Sequence, residues 1–266
     1  MSDWHLGEKT SYPTSYDSSL LVPISRLDSR QKSGLNESNR TVYGMDSWTA
    51  YELSWLSGEG VPKNGILYLS YSSDSKNFIE SKSLKLYINS LNNHKFIDPK
   101  ELIEVLQKDL SDCVKDTVSI EIKKEPKSFL KNVKSIDECN IEAIVSNDIN
   151  SLVLKNTNEE VDEQISCSLF RSLCPVTAQP DWASIIISYA GLQIDHSSLL
   201  TYLISYRNHQ GFHEECVERI FDDLNKRCKI DSLTVQANYL RRGGIEINPL
   251  RSSMNNFEEI LREKRQ

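Results

Sequence analysis

The chain predicts an α+β fold made of two tandem copies of one module, each an antiparallel sheet carrying helices on one face. Three observations lead there. The first is an internal repeat: "IESKSLKLYINSLNNH" (79–94) lies over "IDHSSLLTYLISYRNH" (194–209), matching Ile79 with Ile194, Ser83 with Ser198, Tyr87 with Tyr202, Ser90 with Ser205 and Asn93-His94 with Asn208-His209. Self-similarity of this kind marks a duplicated supersecondary unit. The second is a run rich in branched and aromatic residues ahead of each copy, "GILYLSYS" and "ASIIISYA", which reads as a strand. The third is a pattern of apolar residues at three- and four-residue spacing after each copy, "DPKELIEVLQKDLSD" and "HEECVERIFDDLNKR", followed by a further strand, "DTVSIEIKKE" and "DSLTVQANYLR". Each module is therefore strand, helix, helix, strand, and layers of this kind bury one face of the sheet under helices.

Along the chain, residues 1–45 are rich in Ser, Tyr and Asp, carry Pro13 and Pro23, and predict an extended arm. The first module follows over 46–126. A connecting segment spans 127–165, in which the acidic "NTNEEVDEQ" predicts an exposed linker turn ahead of a helix "QISCSLFRSL". The second module occupies 166–266. His94 and His209 fall at the end of the first helix of each copy.

The 266 residues suffice for a sizeable core. Runs such as "SIIIS" are far too short to cross a bilayer, and the N-terminus lacks a basic region followed by an apolar stretch, so no membrane contact and a cytoplasmic location are expected. The six cysteines are scattered without a C-x-x-C pair, which predicts free thiols and neither a zinc ribbon nor a redox dithiol. The net charge of −7 and the absence of a basic stripe argue against nucleic acid as a partner.

Function is expected where the copies diverge. His209 and His213 have the spacing of a metal-binding pair, but His209 is matched by His94 in a copy with no second histidine, and Gly211 interrupts the helix between them, so no metal is expected. The second copy alone carries Cys174, Asp181 and His213-Glu214, while the first has Glu80-Ser81-Lys82 where the second has Asp195-His196-Ser197. Each has a plain alternative: Cys174 as a small buried hydrophobe, Asp181 as a cap beside Pro180, Glu214 as favourable charge at a helix start, and Ser81 as an N-cap in a solvated loop. Together they make a chemical set. A nucleophilic thiol needs a neighbouring acid or base, which Asp181 and His213 supply. A carboxylate from Glu214 or Glu80 accepts paired N–H donors of a guanine-like edge. No G-x-G-x-x-G follows a strand, so a Rossmann domain is not expected; Lys82 and Arg242, with Gly243 and Gly244 allowing close backbone approach, suit phosphates, although "RRGG" alone reads as a turn after the last strand.

The segment "ESKSLKLY" (80–87) resembles the signature motif of the NADPH-dependent nitrile reductases that convert 7-cyano-7-deazaguanine to 7-aminomethyl-7-deazaguanine, a step towards the tRNA nucleoside queuosine. "YELSWLSGEGVPKNGILYLSYSSDSKNFIESKSLKLYINS", "QPDWASIIISY", "FHEECVERIFDDL" and "RRGGIEINPLRS" are similar to the long, two-module form of that family, and the similarity runs over nearly the whole chain. The resemblance implies a tunnelling fold, whose modules join their sheets and associate with another subunit, giving an expected homodimer. It implies NADPH as cofactor and no metal.

Carried over position by position, the resemblance makes Cys174 the nucleophile that forms a thioimide with the nitrile carbon and Asp181 the acid/base that moves the proton. His213 and Glu214 resemble the substrate-binding pair, Ile79 and Glu80 the contribution of the other module, and Ser81, Lys82, Arg242 and Gly243 the NADPH contacts. Two other readings are a zinc-dependent cyclohydrolase-like enzyme on the same fold and a non-enzymatic duplicated binding module.

Overall fold

The structure is a computed structural model and describes residues 13–35, 42–126, 133–141, 153–258, 262–263 and 265–266. The expected arm over 1–12 and 36–41, and the connecting stretches 127–132 and 142–152, lie outside the described residues.

The first half holds β1 (Pro23–Ser25), α1 (Arg26–Lys32), β2 (Tyr43–Ser57), β3 (Pro62–Ser72), β4 (Asn77–Ile79), α2 (Ser81–Ser90), β5 (Lys95–Phe96), α3 (Pro99–Val114) and β6 (Ser119–Lys123). The second holds β7 (Lys134–Ser135), β8 (Asn156–Cys167), β9 (Arg171–Leu173), β10 (Pro180–Ile194), α4 (His196–Ile204), α5 (His213–Arg227), β11 (Ile230–Tyr239) and β12 (Ile245–Ser252). One ten-stranded sheet runs β6-β3-β2-β12-β11-β10-β8-β7, with β5 beside β2 and β9 beside β10. The modules fuse where β2 pairs antiparallel with β12, from Ala50 opposite Ile245 to Tyr43 opposite Ser252.

Period-2 alternation sorts the sheet into two faces. On one, Trp48, Leu67 and Leu69 pack beneath Leu84, Tyr87 and Ile88 of α2 and Leu102, Leu106 and Leu110 of α3. Ile185, Ile187, Leu233 and Val235 pack beneath Leu199 and Leu203 of α4 and Val217, Ile220 and Leu224 of α5. Each such side chain contributes roughly 1.5–3 kcal/mol over remaining exposed, which is why the helices cover this face. The alternate residues Ser184, Gln236, Asn238, Glu246 and Asn248 are polar and occupy the other face, where the Gln266 amide donates to Asn248 Oδ1 (2.9 Å). The expected α+β architecture with helices on one face is the one observed. No helix among the described residues is long and apolar enough to cross a membrane.

Four local expectations are corrected. "NTNEEVDEQ" is neither a linker turn nor the prelude to a helix: it begins β8, which continues to Cys167 and crosses the expected junction at 165/166, while "RSL" forms β9. Glu159, Glu160 and Asp162 are exposed on a strand near the sheet edge, where charge deters edge-to-edge pairing, and its ladder to β10 from Cys167–Ile185 to Asn156–Ile194 overrides the local composition. The segment 1–45 is not wholly extended, because Ser25 caps α1 by accepting from the Asp28 N–H, β1 pairs with β4, and β2 already begins at Tyr43. The N-cap of α2 is Glu80, not Ser81, which is the first helical residue. "RRGG" forms the turn between β11 and β12 and not a turn after the last strand, with Gly243 at φ 61° and Gly244 at φ 79°.

Candidate active site

Cys174 directly follows β9, a strand where a helix was expected, and opens a tight turn in which the Ala178 N–H donates to the Cys174 carbonyl (2.9 Å) and the Cys174 N–H donates to the Gln179 carbonyl (2.9 Å). Ala178 is left-handed at φ 55°. The turn points donors at sulfur. Burial works against the thiolate, but the Thr177 hydroxyl and N–H, the Val176 N–H and the Arg242 guanidinium outweigh it and hold the thiol below its ordinary value. Burial pushes Cys167 and Cys216 up to about 12 and Cys113 and Cys228 up to about 11. Among the described residues, Cys174 alone is shifted towards the reactive form, so the plain reading of an inert buried thiol fits Cys113, Cys167, Cys216 and Cys228 better.

Asp181 is the second residue of β10 and is nearly buried, opposite Ser172 of β9. It sits within the strand and is not a cap. Arg242 Nη1 donates to Asp181 Oδ1 (2.5 Å), and His213 Nε2 lies 3.3 Å from Asp181 Oδ2. The His213 ring is fixed from the other side by stacking on Tyr239, with centroids 3.7 Å apart. His209 follows a 3-10 turn after α4 and packs edge-on against Tyr206, so the two histidines go to different neighbours.

Glu214 follows His213 in the first turn of α5 and is 3% exposed. Its Oε1 has no hydrogen-bond partner. Burial pushes its carboxyl up to about 8, and the nearby Asp46 adds to this while Arg26 and Arg251 pull the other way. From the first module, Ile79 ends β4 fully buried, and Glu80 accepts from the Lys82 N–H (3.0 Å) and the Ser83 N–H (2.7 Å). Ser81 and Lys82 form the first turn of α2 behind it.

Ten of the residues singled out in the sequence line one cavity of about 270 Å³: Ile79, Glu80, Ser81, Lys82, Cys174, Asp181, His213, Glu214, Arg242 and Gly243, while Gly244 lines a smaller one beside it. The cavity forms where the start of α2 in one module meets the start of α5 in the other. Arg242 is more than a candidate phosphate contact, since it touches both Asp181 and Cys174. Sequence reasoning missed Trp48, Thr177 and Lys85, which share the cavity. Lys85 had a signal, since it lies three residues after Lys82 and so on the same helix face; its Nζ donates to the Gly243 carbonyl (2.7 Å) and pairs with Glu52 (3.3 Å). Trp48 and Thr177 had none, being an ordinary strand residue and an ordinary turn residue.

Comparison with known proteins agrees with this architecture. A family model described as "Nitrile reductase, 7-cyano-7-deazaguanine-reductase N-term" matches residues 12–122, and one described as "QueF-like protein" matches 180–257. A protein of Buchnera aphidicola subsp. Schizaphis graminum named NADPH-dependent 7-cyano-7-deazaguanine reductase is 46% identical over 253 residues, covering 92% of this chain and 96% of that protein. Proteins of the same name from Legionella pneumophila strains Corby and Lens are 42% and 41% identical, each covering 93% of this chain and 89% of its relative. With both modules matched and identity above two-fifths over nearly its full length, the chain belongs to the 7-cyano-7-deazaguanine reductase family of nitrile reductases.

Proposed function

We propose that this protein reduces the nitrile of 7-cyano-7-deazaguanine to the primary amine, consuming two NADPH and two protons, through a covalent thioimide on Cys174. The observation that carries the reading is the thiol held towards its anion within reach of the Asp181–Arg242–His213 cluster, in the cavity that also presents Glu214. In this mechanism Asp181 takes the Cys174 thiol proton and passes it to the nitrile nitrogen as Sγ adds to the nitrile carbon, so the triple bond becomes a C=N that accepts hydride. After the first reduction Cys174 leaves as a thiolate, which its turn donors stabilise, and the resulting imine is reduced once more. Arg242 orients Asp181, and His213, stacked on Tyr239, is placed for proton transfer. Glu214, with Glu80 across the cavity, accepts the paired N–H donors of the substrate's guanine-like edge. Enclosure in the cavity keeps a hydrolysable imine from water.

NADPH, when bound, supplies the hydrides. The residues present fit it: Lys82 is exposed at the start of α2, the Arg242 side chain is 46% exposed, and Gly243 is left-handed against the Lys85 ammonium, a cradle in which an added Cβ would meet Lys85 Nζ at 3.1 Å. Ser81, Lys82, Arg242 and Gly243 would hold its phosphates. We also infer a homodimer in the cytoplasm, acting on a free base with neither nucleic acid nor membrane as partner; among the described residues β6 and β7 end the sheet and offer their outer edges to a second copy.

The test is intact-protein mass after mixing with 7-cyano-7-deazaguanine without NADPH, beside Cys174→Ala. An adduct of the nitrile's mass, dependent on Cys174 and discharged by NADPH, is expected. Absence of adduct together with absence of NADPH consumption under turnover conditions would overturn the reading.

A further inference from the structure

Two residues of the cavity lining each hold a buried polar atom with no hydrogen-bond partner: Trp48 at Nε1 and Glu214 at Oε1. Trp48 is 1% exposed and Glu214 3%. A buried indole N–H is ordinarily paired, and an orphan of this kind calls for an explanation. The two atoms are opposite in kind, since an indole only donates and a carboxylate oxygen accepts. Among the described residues, the other buried side chains with an unpartnered atom, such as Ser47, Asn92 and Arg251, do not line this cavity.

The pair spans the seam between the modules. Trp48 lies on β2, opposite Leu69 of β3 and Ile247 of β12, and Ile245 and Ile247 line the same cavity. Glu214 enters from the first turn of α5. Other donors of the lining are engaged within the protein: Arg242 and His213 meet Asp181, and Lys85 donates to the Gly243 carbonyl.

A guanine-like edge carries three groups in a row: a carbonyl oxygen, a ring N–H and an amino N–H. A carboxylate accepts the two N–H groups as a pair, which leaves the carbonyl in need of a donor beside it. We propose that the Trp48 indole N–H is this donor, so that Trp48 and Glu214 together select a base whose carbonyl adjoins its paired N–H groups. The assignment rests on the reading of Glu214 as the acceptor for that edge. An amino group in place of the carbonyl sets N–H against N–H, and a base without an acceptor there leaves the indole unpaired in a dry site; both are disfavoured.

The experiment is calorimetric titration of the full-length chain carrying Cys174→Ala, so that no covalent step contributes. The ligands are 7-cyano-7-deazaguanine and its thiocarbonyl analogue, in which a weakly accepting sulfur replaces the oxygen and both N–H donors are kept. Adding Trp48→Phe is expected to weaken binding of the oxygen ligand about tenfold and to leave that of the sulfur analogue nearly unchanged, with a cooperative melting transition retained. Equal losses on the two ligands, or none on either, would make Trp48 a packing residue and overturn the proposal. Undiminished binding of both ligands by Glu214→Gln would overturn the reading of Glu214 itself, a result separate from any seen with Trp48→Phe. If Trp48→Phe does not fold, the Trp48 indole N–H resonance of an isotope-labelled chain decides the question. It is expected to move downfield with the oxygen ligand and much less with the sulfur analogue; equal shifts, or none, would overturn the proposal.

Discussion

The two modules use the same side chains for the same structural work and differ where they meet the cavity. In the first, Tyr87 donates to Asp109 (2.8 Å), Ser90 Oγ to the Tyr87 carbonyl (2.6 Å) and Ser83 Oγ to the Glu80 carbonyl (2.6 Å). In the second, Tyr202 donates to Asp223 (2.7 Å), Ser205 Oγ to the Tyr202 carbonyl (2.6 Å) and Ser198 Oγ to the Asp195 carbonyl (2.9 Å). Even the outside chain repeats: Ser83 Oγ accepts from the Val22 N–H, and Ser198 Oγ from the Lys155 N–H. The helix starts diverge. The α3 helix opens with Pro99-Lys100 and α5 with His213-Glu214; the start of α2 faces the cavity, while beside the start of α4 His196 pairs with Glu163 (2.8 Å), which Tyr189 and Lys134 also engage. What the repeat preserves is scaffold, and what it does not preserve is the candidate for chemistry.

The largest effect should come from the residue without a counterpart. Cys174→Ala is expected to lower turnover by ~10³-fold or more, followed by NADPH absorbance, while nitrile binding by calorimetry persists. Retained turnover would return Cys174 to the inert thiols.

Glu214 comes next, because its place in the first module is taken by a lysine. Its folded carboxyl titrates near 8, above the ordinary 4.5, so the folded state holds the proton more tightly than the unfolded chain and stability from this group falls as pH rises from 4.5 towards 8. Glu214→Gln should therefore leave stability unchanged near pH 4 and raise it by ~4 kcal/mol near pH 8, with nitrile affinity reduced at both. Thermal melts across pH decide the first point and calorimetry the second.

The matched tyrosines should behave as twins. Tyr87→Phe and Tyr202→Phe each take a donor from a nearly buried aspartate and are expected to cost ~1–3 kcal/mol in denaturant titrations, with KM unaltered. A marked inequality between them would break the equivalence.

The smallest effect should be the most discriminating. Asp195→Ala removes an N-cap that accepts from the Ser198 N–H (2.8 Å), and Glu80→Ala removes one that accepts from two N–H groups, each change costing ~1 kcal/mol. Only Glu80→Ala should also raise KM for the nitrile. If neither does, Glu80 is a cap and nothing more.

The sequence made the layered fold legible because the repeat aligned strand and helix patterns twice, so each copy checked the other. The site was legible for the same reason: Cys174, Asp181 and His213-Glu214 stood out as unmatched. Strand β8 was misread because Glu159, Glu160, Asp162 and Glu163 carry no local strand preference and are placed by the long ladder to β10. The cap of α2 was misassigned by one residue because both Glu80 and Ser81 offer an oxygen, and only the backbone decides which is outside the helix. Arg26, Asp46 and Arg251 gave no signal at all, since three isolated charges from three distant segments have no pattern until the sheet brings them together.

The seam between β2 and β12 has a consequence for how the protein comes into being. Ala50 must wait for Ile245, so the first module can leave the ribosome folded as a unit but cannot complete its sheet until the last strand of the chain has been made. Active protein is thus expected to appear with the slowest refolding phase and not with the early gain of helix, a lag measurable by following both signals after dilution from denaturant. The proposed nucleophile is assembled only in a finished molecule, and nascent or truncated chains carry a thiol without its partners.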